Sequence, residues 1–371
     1  MRVAIVHYWL LGKRGGEAVV EGLLKLLPDS ELFTLFYNPE RVNEAIRARP
    51  VHTSFLNSGR RWYRSLLPLM PMALESFDLR EYDLVISSES GPAKGVLTPS
   101  TTRHICYCHT PMRYLWELYP AYAREWAGAR WKRALMAPLA NYLRLWDYAS
   151  AARVDDFVAN SENVKRRIWK TYRRDSEVVY PPVDIKSFYW SPAHDYFLIV
   201  SELVPYKCID SAVRVFTTNG RRLLIVGDGP EYRKLRRMAG STVEFCGRVS
   251  AEQLRVLYAE CRALLLPGEE DFGIAPVEAL ASGKPVIALS RGGVLETVPP
   301  EGGVLYPNAG DAELALALDE FESREASFAP ERLRNWSRKF GPEAFASGMQ
   351  RVLDRAPEAS RAIVPAWPPT H

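Results

Sequence analysis

The sequence predicts an α/β protein made of two doubly wound domains, each a parallel sheet with helices on both faces. Short apolar runs alternate with amphipathic helical patterns along almost the whole chain, which is typical of repeated strand–helix units. The alternation is interrupted at 181–184, where two prolines fix an extended connection. A length of 371 residues fits two domains of roughly 150 residues each.

Composition restricts the classes of function. With 47% hydrophobic and 25% charged residues, the chain is globular rather than disordered. A net charge of +4 is too small to indicate nucleic-acid binding. The five cysteines form neither a metal-ligand spacing nor an even disulfide framework, which fits a reducing cytosol. The chain starts with a short strand rather than a signal peptide, and no window reaches the ~20 apolar residues that cross a bilayer, so we expect any membrane attachment to be peripheral.

Basic and aromatic residues are interleaved in three segments of the first half, at 60–64, 124–144 and 165–174. Such mixtures suit an anionic membrane surface or a phosphate-bearing lipid. Solvated helix faces over aromatic cores explain each segment at least as well, and for 60–67 the alternatives are an interfacial helix or packing on its own domain.

The elements of the first half follow in order. A first strand leads through a loop that contains Gly15 and Gly16 into a helix, and a glycine pair there lets backbone approach a ligand closely. His109 stands at the tip of a later strand, where Pro111 stops the sheet. The predicted strands are 2–6, 31–36, 84–88, 104–108 and 156–159, and the predicted helices are 18–27, 123–152 and 164–172.

The second half repeats this plan. Three of its loops follow strands and precede helices: the loop with Lys207, the loop with Gly247, Arg248 and Val249, and the loop with Glu270. The predicted strands are 196–201, 222–226, 243–246, 264–266, 286–289 and 302–306, and the predicted helices are 209–217, 232–238, 251–260, one from about 275, 311–321 and two pieces in 330–353.

The most informative stretch is 264–288. Its acidic loop and helix start bring Glu270 and Glu278 to the carboxyl end of a strand, where open parallel sheets bind ligands. The backbone N–H groups of Gly273, Ile274 and Ala275, together with Lys207, suit the phosphates of a nucleotide sugar. Taken singly, each carboxylate is more often a solvated charge; the combination favours a site.

Two glutamates separated by seven residues, enclosing Asp-Phe-Gly and followed by Ala-Leu-Ala-Ser-Gly-Lys-Pro-Val, resemble the signature of the retaining glycosyltransferases of family 4. The sequence His-Thr-Pro-Met-Arg-Tyr-Leu-Trp at 109–116 is similar to the O-antigen mannosyltransferase subgroup of that family. The resemblance covers nearly the whole chain. It implies the GT-B fold, two Rossmann-like doubly wound domains facing a central cleft.

That fold implies three regions. The first domain, 1–182, lies on the acceptor side and is joined by a helix at about 336–356 that crosses back to it. The second domain, 183–335, binds the nucleotide sugar. The tail, 357–371, is expected to be flexible.

The resemblance also implies residue roles. His109 and Glu270 are the expected catalytic residues, with Glu270 holding the donor sugar and Glu278 the ribose. Arg113, Tyr114 and Trp116 are expected on the acceptor side or in the cleft. The expected donor-binding residues are Gly15, Gly16, Lys207, Gly247, Arg248, Val249, Asp271, Phe272, Gly273, Ile274, Ala275 and Glu278. The chain departs from the family in having Glu202 and Cys208 where an arginine and a glycine are usual, so Arg248 or Arg291 is a candidate for the second phosphate charge.

The implied function is retaining, metal-independent and cofactor-free transfer of mannose from GDP-mannose. The implied acceptor is a polyprenyl-diphosphate-linked saccharide or similar glycan in polysaccharide or O-antigen synthesis, at the cytoplasmic face of the plasma membrane and without nucleic-acid partners. A UDP-sugar donor is the first alternative. A UDP-sugar epimerase, a phosphorylase-like enzyme and a non-catalytic nucleotide-sugar sensor are the alternatives from other classes.

Overall fold

The computed structural model describes residues 1–12, 15–120 and 130–355, and for 130–135 the backbone alone. It forms two compact units, one of Met1–Tyr180 with the chain from Phe345 onward, the other of Pro181–Ala344. Each unit contains one parallel sheet covered by helices. The predicted fold class, two doubly wound α/β domains, is therefore confirmed.

The first unit is built on a seven-stranded sheet in the order β3-β2-β1-β4-β5-β6-β7, with every neighbouring pair parallel. The strands are β1 (Val3–His7), β2 (Glu31–Thr34), β3 (Val51–Thr53), β4 (Leu84–Glu89), β5 (Arg103–Cys108), β6 (Asp156–Ala159) and β7 (Glu177–Val178). The helices are α1 (Gly15–Leu26), α2 (Glu44–Arg47), α3 (Met70–Glu75), α4 (Arg130–Ala151) and α5 (Glu162–Tyr172), with 3-10 turns at Phe55–Trp62, Leu67–Leu69 and Ala93–Gly95. The strand order reverses between β1 and β4, and ligands of such sheets bind beyond the carboxyl ends of the strands at that point.

The second unit repeats the arrangement with six parallel strands in the order β10-β9-β8-β11-β12-β13. The strands are β8 (Phe197–Val200), β9 (Leu223–Val226), β10 (Val243–Gly247), β11 (Leu264–Leu266), β12 (Val286–Leu289) and β13 (Gly303–Tyr306). The helices are α6 (Ile209–Asn219), α7 (Tyr232–Met238), α8 (Ala251–Glu260), α9 (Ile274–Ala281), α10 (Val294–Thr297), α11 (Asp311–Arg324) and α12 (Pro330–Ser337), with 3-10 turns at Ile185–Ser187, Pro205–Lys207, Glu325–Ser327 and Arg338–Phe340. Here the order reverses between β8 and β11.

Buried apolar residues explain why the strands read as continuous hydrophobic runs. In β1, β9 and β12 every residue is buried, because helices cover both faces of each sheet. The two faces of the second sheet have separate cores, one against α6 and α11 and the other against α8 and α9.

The chain returns to the first unit within the last helix, α13 (Pro342–Asp354). Phe345 and Met349 are buried in the core of the first unit, and the Arg103 guanidinium donates to the Val352 carbonyl oxygen at 2.9 Å. The crossing helix was predicted to start near residue 336. Leu333 of α12 still packs in the core of the second unit, so the chain rejoins the first unit later in the sequence than predicted. The tail predicted to be flexible, 357–371, lies outside the described residues.

One local prediction differs from the structure, and for 60–67 the contacts agree with the second of the two alternatives, packing on its own unit. The first helix begins at Gly15 rather than 18, so the glycine pair forms its first turn. The segment 60–67 forms no continuous helix: 3-10 turns end at Trp62 and restart at Leu67, because Pro68 supplies no N–H for a longer helix. The Tyr63 ring packs against Trp9 at 4.9 Å between centroids, which anchors the segment to its own unit. The predicted helix 123–152 is described from Arg130 onward.

Candidate active site

Glycines bring three loops together at the carboxyl edge of the second sheet. A Cβ at Gly268 would lie 2.6 Å from the Lys207 carbonyl carbon, so only glycine lets the loop after β11 pack on the loop after β8. Gly292 has a φ of 77°, and a Cβ there would lie 2.2 Å from the Glu270 carbonyl oxygen. That oxygen also accepts from the Gly293 N–H at 2.9 Å. The loops that follow β8, β11 and β12 are thereby fixed to one another beside the reversal in strand order.

Lys207 and Glu270 form an ion pair at this edge. Their side chains are 12% and 21% exposed, so the pair is sheltered but open to a ligand. The sequence predicted both residues as site residues without predicting the pair. A small pocket adjoins them, lined by Ile199, Ser201, Lys207, Ile209, Leu265, Leu266, Pro267, Gly268 and Glu270. A bound phosphate that pairs with the Lys207 ammonium group would leave the Glu270 carboxylate available to another ligand group.

The start of α9 offers backbone donors beside the pair. Gly273 has a φ of 92° at the N-cap, and no described side chain caps the first N–H groups, which belong to Ile274 and Ala275. Uncapped N–H groups at a helix start bind anions. Asp271 in the same loop is half-buried and has partners of its own. Phe272 is buried and its ring packs on Phe340 at 5.5 Å between centroids; its predicted part in donor binding stays a prediction.

Glu278 lies further along the same helix. Its Oε2 accepts a hydrogen bond from the Tyr258 hydroxyl at 2.8 Å. Burial raises the pKa of the Glu278 carboxyl group, and the hydrogen bond from Tyr258 acts in the opposite direction. Sequence reasoning missed Tyr258, because a tyrosine in the apolar pattern of α8 carries no local sign of a carboxylate partner.

The loop after β10 is more open. Gly247 has a φ of 66°, Val249 is half-buried, and the Arg248 side chain is 80% exposed with Nε 3.8 Å from Asp228 Oδ2. An exposed guanidinium with one weak partner is available to a ligand. The exposed side chain of Arg291 belongs to the loop that is fixed to Glu270, whereas Glu202 is an exposed carboxylate after β8.

In the first unit, His109 follows β5 and its backbone N–H donates to the Glu89 carbonyl oxygen. Its Nε2 lies 3.0 Å from Ser88 Oγ, and burial lowers its pKa to about 4. Gly16 packs against it: a Cβ at that position would lie 3.6 Å from His109 Nε2. The structure therefore joins two predicted site residues, His109 and Gly16, while Gly15 opens the same helix.

The three residues predicted for the acceptor side have partners within the first unit. Arg113 Nε lies 3.7 Å from Glu117 Oε2, and the Tyr114 hydroxyl lies 3.0 Å from Met112 Sδ. The indole of Trp116 donates to Asp147 Oδ2 at 2.7 Å. These contacts give Trp116 a structural partner; its role toward an acceptor stays a prediction.

Beneath these residues lies a buried ionic network that the sequence did not predict. Lys94 forms an ion pair with Asp147, and its Nζ lies 3.4 Å from Glu89 Oε1. The Tyr172 hydroxyl donates to Asp147 at 2.9 Å. Burial alone lowers the pKa of Lys94, but Asp147 and Glu89 together outweigh it and raise the pKa. Burial raises the pKa of Glu89 to about 7.

The chemistry available differs between the units. The second unit combines one ammonium group, uncapped backbone donors and two carboxylates, which suits a sugar linked to a phosphorylated nucleoside. The first unit presents an imidazole that is neutral near pH 7, because its pKa is far below that pH. Within the described residues no group of three or more His, Cys, Asp or Glu is arranged to hold a metal ion.

Two family models match the chain. One, described as Glycosyltransferase Family 4, matches residues 14–187, and the other, described as Glycosyl transferases group 1, matches residues 185–340. This chain belongs to glycosyltransferase family 4. The membership predicted from the two-glutamate segment and from 109–116 is confirmed.

Curated relatives of this family-4 glycosyltransferase include mannosyltransferases. The O-antigen chain mannosyltransferase RfbU of Salmonella typhimurium is 32% identical over 183 residues, 46% of this chain and 51% of that protein. An uncharacterized glycosyltransferase of Methanocaldococcus jannaschii is 26% identical over 208 residues, 54% of this chain and 59% of that protein. A GDP-mannose-dependent alpha-mannosyltransferase of Mycobacterium tuberculosis is 36% identical over 121 residues, 32% of each chain. The chain thus spans between about a third and three fifths of the length of these relatives.

Solved structures show the fold. The lipopolysaccharide outer core galactosyltransferase WaaB has a TM-score of 0.67 and 17% identity, covering 95% of this chain and 99% of that one. Anabaena HepE in complex with UDP has a TM-score of 0.66 and 17% identity, with the same coverage. This family-4 glycosyltransferase therefore has the predicted GT-B fold class.

Proposed function

We propose that this glycosyltransferase moves mannose from GDP-mannose onto a lipid-linked saccharide with retention of configuration. The observation that carries the proposal is the Lys207–Glu270 ion pair beside the uncapped start of α9. It supplies charge and backbone donors for a diphosphate and a carboxylate for a sugar in one place. The mannosyltransferases among the relatives support the choice of mannose.

Each residue then has a task. Lys207 and the first N–H groups of α9 bind the departing phosphates, which stabilises negative charge as the sugar leaves. Glu270 binds sugar hydroxyls and stabilises the positive charge that builds at the anomeric carbon. Glu278 accepts hydrogen bonds from the ribose hydroxyls, and Arg248 lies beside the base. His109, neutral near pH 7, hydrogen-bonds the reacting sugar.

Retention follows in this proposal from attack on the face from which the phosphate leaves. The leaving phosphate oxygen takes the proton of the acceptor hydroxyl as the new glycosidic bond forms and the bond to phosphate breaks. The donors at 207 and 273–275 hold the charge of the phosphate, so the proposed reaction uses no divalent metal or other cofactor.

A UDP-sugar donor is the second candidate. It is favoured by the likeness of this fold to HepE, whose structure contains UDP. Few residues would distinguish guanine from uracil, and the exposed Arg248 is the one proposed to lie beside the base.

We further propose peripheral attachment to an anionic membrane. None of the helices in the described part of the chain has the length and apolarity needed to cross a bilayer. The segment 55–74 has no acidic residue and exposes Arg60, Arg61, Trp62 (69% exposed), Arg64, Leu69 and Met72. Within 136–151 the exposed residues of α4 are all uncharged: Ala137, Pro138, Asn141, Tyr142, Leu145, Tyr148 and Ala149. Arginines beside exposed aromatic and aliphatic residues suit the interface of an anionic bilayer.

We expect transfer of mannose from GDP-mannose to polyprenyl-diphosphate-linked saccharides in phosphatidylglycerol vesicles, in buffer with EDTA. Mass spectrometry of the lipid will show the added hexose, proton NMR will show the anomeric configuration of the donor preserved, and the protein will sediment with the vesicles. Transfer from UDP-glucose alone would replace the donor, and inversion would overturn the mechanism. Failure with every nucleotide sugar would overturn the function, and protein left in the supernatant would overturn the membrane attachment.

A further inference from the structure

Two imidazoles converge on the space above Gly16. His7 is buried and is the last residue of β1, and His109 comes directly after β5; both strands neighbour β4 in the sheet. A Cβ at Gly16 would lie 3.2 Å from His7 Cε1 and 3.6 Å from both His7 Nε2 and His109 Nε2. The absence of a side chain at Gly16 therefore keeps open a space that two ring nitrogens border.

The hydrogen bond of the other His7 nitrogen fixes its tautomer. His7 Nδ1 lies 2.9 Å from the Ser88 carbonyl oxygen, and because a carbonyl only accepts, Nδ1 carries the proton. Burial, with a further contribution from His109, lowers the pKa of His7 to about 3, so the ring is neutral at pH 7. Nε2 is then a bare acceptor. Among the described residues this buried atom has no hydrogen-bond partner.

Ser88 connects the two rings. Its carbonyl oxygen accepts the hydrogen bond from His7 Nδ1–H, and its hydroxyl oxygen lies 3.0 Å from His109 Nε2. A serine hydroxyl both donates and accepts, so this contact is compatible with either neutral tautomer of His109.

We propose that His7 contacts the substrate: its Nε2 accepts a hydrogen bond from a sugar hydroxyl that occupies the space above Gly16, while Ser88 positions both rings. A buried acceptor without a partner costs about 1–3 kcal/mol, and a hydroxyl donor removes that cost. Because the space is small and the nitrogen carries no proton, the site selects an O–H donor over a phosphate or carboxylate oxygen. The inference rests on the proposed sugar transfer and assigns a contact for it.

His7→Asn tests the contact, because an asparagine amide can still donate to the Ser88 carbonyl oxygen but has no group in place of Nε2. The expected loss in kcat/KM with GDP-mannose is about 5- to 150-fold, the range that corresponds to 1–3 kcal/mol. The loss in kcat/KM of His7→Asn relative to wild type should disappear when the substrate lacks the hydroxyl that His7 binds. Monodeoxy derivatives of GDP-mannose and of a mannoside acceptor are compared in turn, and for the analogue that lacks the bound hydroxyl wild type and variant will have equal kcat/KM.

Gly16→Ala tests the same space from the other side. Its methyl group would lie 3.2 Å from His7 Cε1 and fill the space, so transfer should fall, and Tm measured alongside separates this loss from a loss of stability. The matched control is His104→Asn. His104 is likewise buried and contacts a serine of β4, with its Nε2 2.9 Å from Ser87 Oγ, but Ser87 precedes Ser88 and faces the other side of the sheet.

The outcomes separate the possibilities. If wild type and His7→Asn have equal kcat/KM with a deoxy analogue of the donor, the bound hydroxyl belongs to the donor sugar. If they are equal with a deoxy analogue of the acceptor, it belongs to the acceptor. Either result supports the contact. A His7→Asn loss that is the same for every analogue, or a loss of stability alone as expected for His104→Asn, would overturn it. A wild-type enzyme without activity toward any nucleotide sugar would overturn the proposed function and this inference with it.

Discussion

Glu270→Gln is expected to reduce kcat for sugar transfer by about 10²- to 10³-fold, the usual effect of removing one group that stabilises transition-state charge. The substitution keeps the size of the side chain but removes the negative charge that, in the proposed function, stabilises the anomeric carbon. It also removes the partner of Lys207, so the ammonium group is fully available to the phosphates. Affinity for GDP should therefore be unchanged or higher.

The two opposite effects make this prediction specific. Steady-state kinetics give kcat, and calorimetric titration with GDP gives affinity. Glu320→Gln is the control, because Glu320 pairs with Arg324 on the exposed surface of α11 and should change neither quantity. Wild-type kcat in Glu270→Gln, or a loss of GDP affinity as large as the loss of rate, would show that Glu270 does not act on the reacting sugar.

Lys94→Met is expected to lower the free energy of unfolding by about 3–5 kcal/mol, the range for breaking a buried ion pair by removing one partner. The substitution leaves the carboxylates of Glu89 and Asp147 buried without their shared cation. Arg214→Met provides the comparison. Arg214 pairs with Asp210 and Asp311 at the surface, where such pairs contribute about 0–1 kcal/mol.

The loss should depend on pH. Burial already raises the pKa of Glu89 to about 7, and the charge of Lys94 acts to lower that pKa. Without Lys94 the pKa of Glu89 rises further, so Glu89 binds its proton at higher pH still. Folded-state pKa values above the unfolded values favour folding at low pH and disfavour it as pH rises. The difference between Lys94→Met and wild type in urea unfolding should therefore be larger at pH 8 than at pH 5. An equal difference at both pH values would contradict the assignment of the loss to unpaired carboxylates.

Local sequence patterns predict most of the elements, because an apolar run and a helical period depend only on neighbouring residues. The helix at 251–260 and the strand at 156–159 have the predicted ends. The position of the glycine pair was not predicted correctly. Two adjacent glycines are typical of a loop, but Gly15 and Gly16 form the first turn of α1. The positions of His109 and Glu270 after apolar runs are visible in the sequence, but their expected catalytic roles came from the resemblance to family 4.

Partnerships across the sheet were not predictable in this way. Lys94 and Asp147 are 53 residues apart, and Tyr258 and Glu278 lie on different helices, so only the order of the strands brings each pair together. His7 does follow an apolar run, as His109 does, and that signal could have identified it. Its convergence with His109 above Gly16 depends on the placement of α1, which no local pattern specifies.

The most direct test of a nucleotide-sugar site in the second unit is calorimetric titration of wild type and Glu278→Ala with GDP, GDP-mannose, UDP and UDP-glucose in buffer with EDTA. We predict that wild type binds GDP and GDP-mannose without metal and more tightly than the uridine compounds, and that Glu278→Ala weakens binding of both guanosine compounds because the ribose loses its carboxylate partner. Selective binding of UDP and UDP-glucose would keep the site and replace the donor. Absence of binding to all four compounds, or equal binding by wild type and Glu278→Ala, would contradict the account.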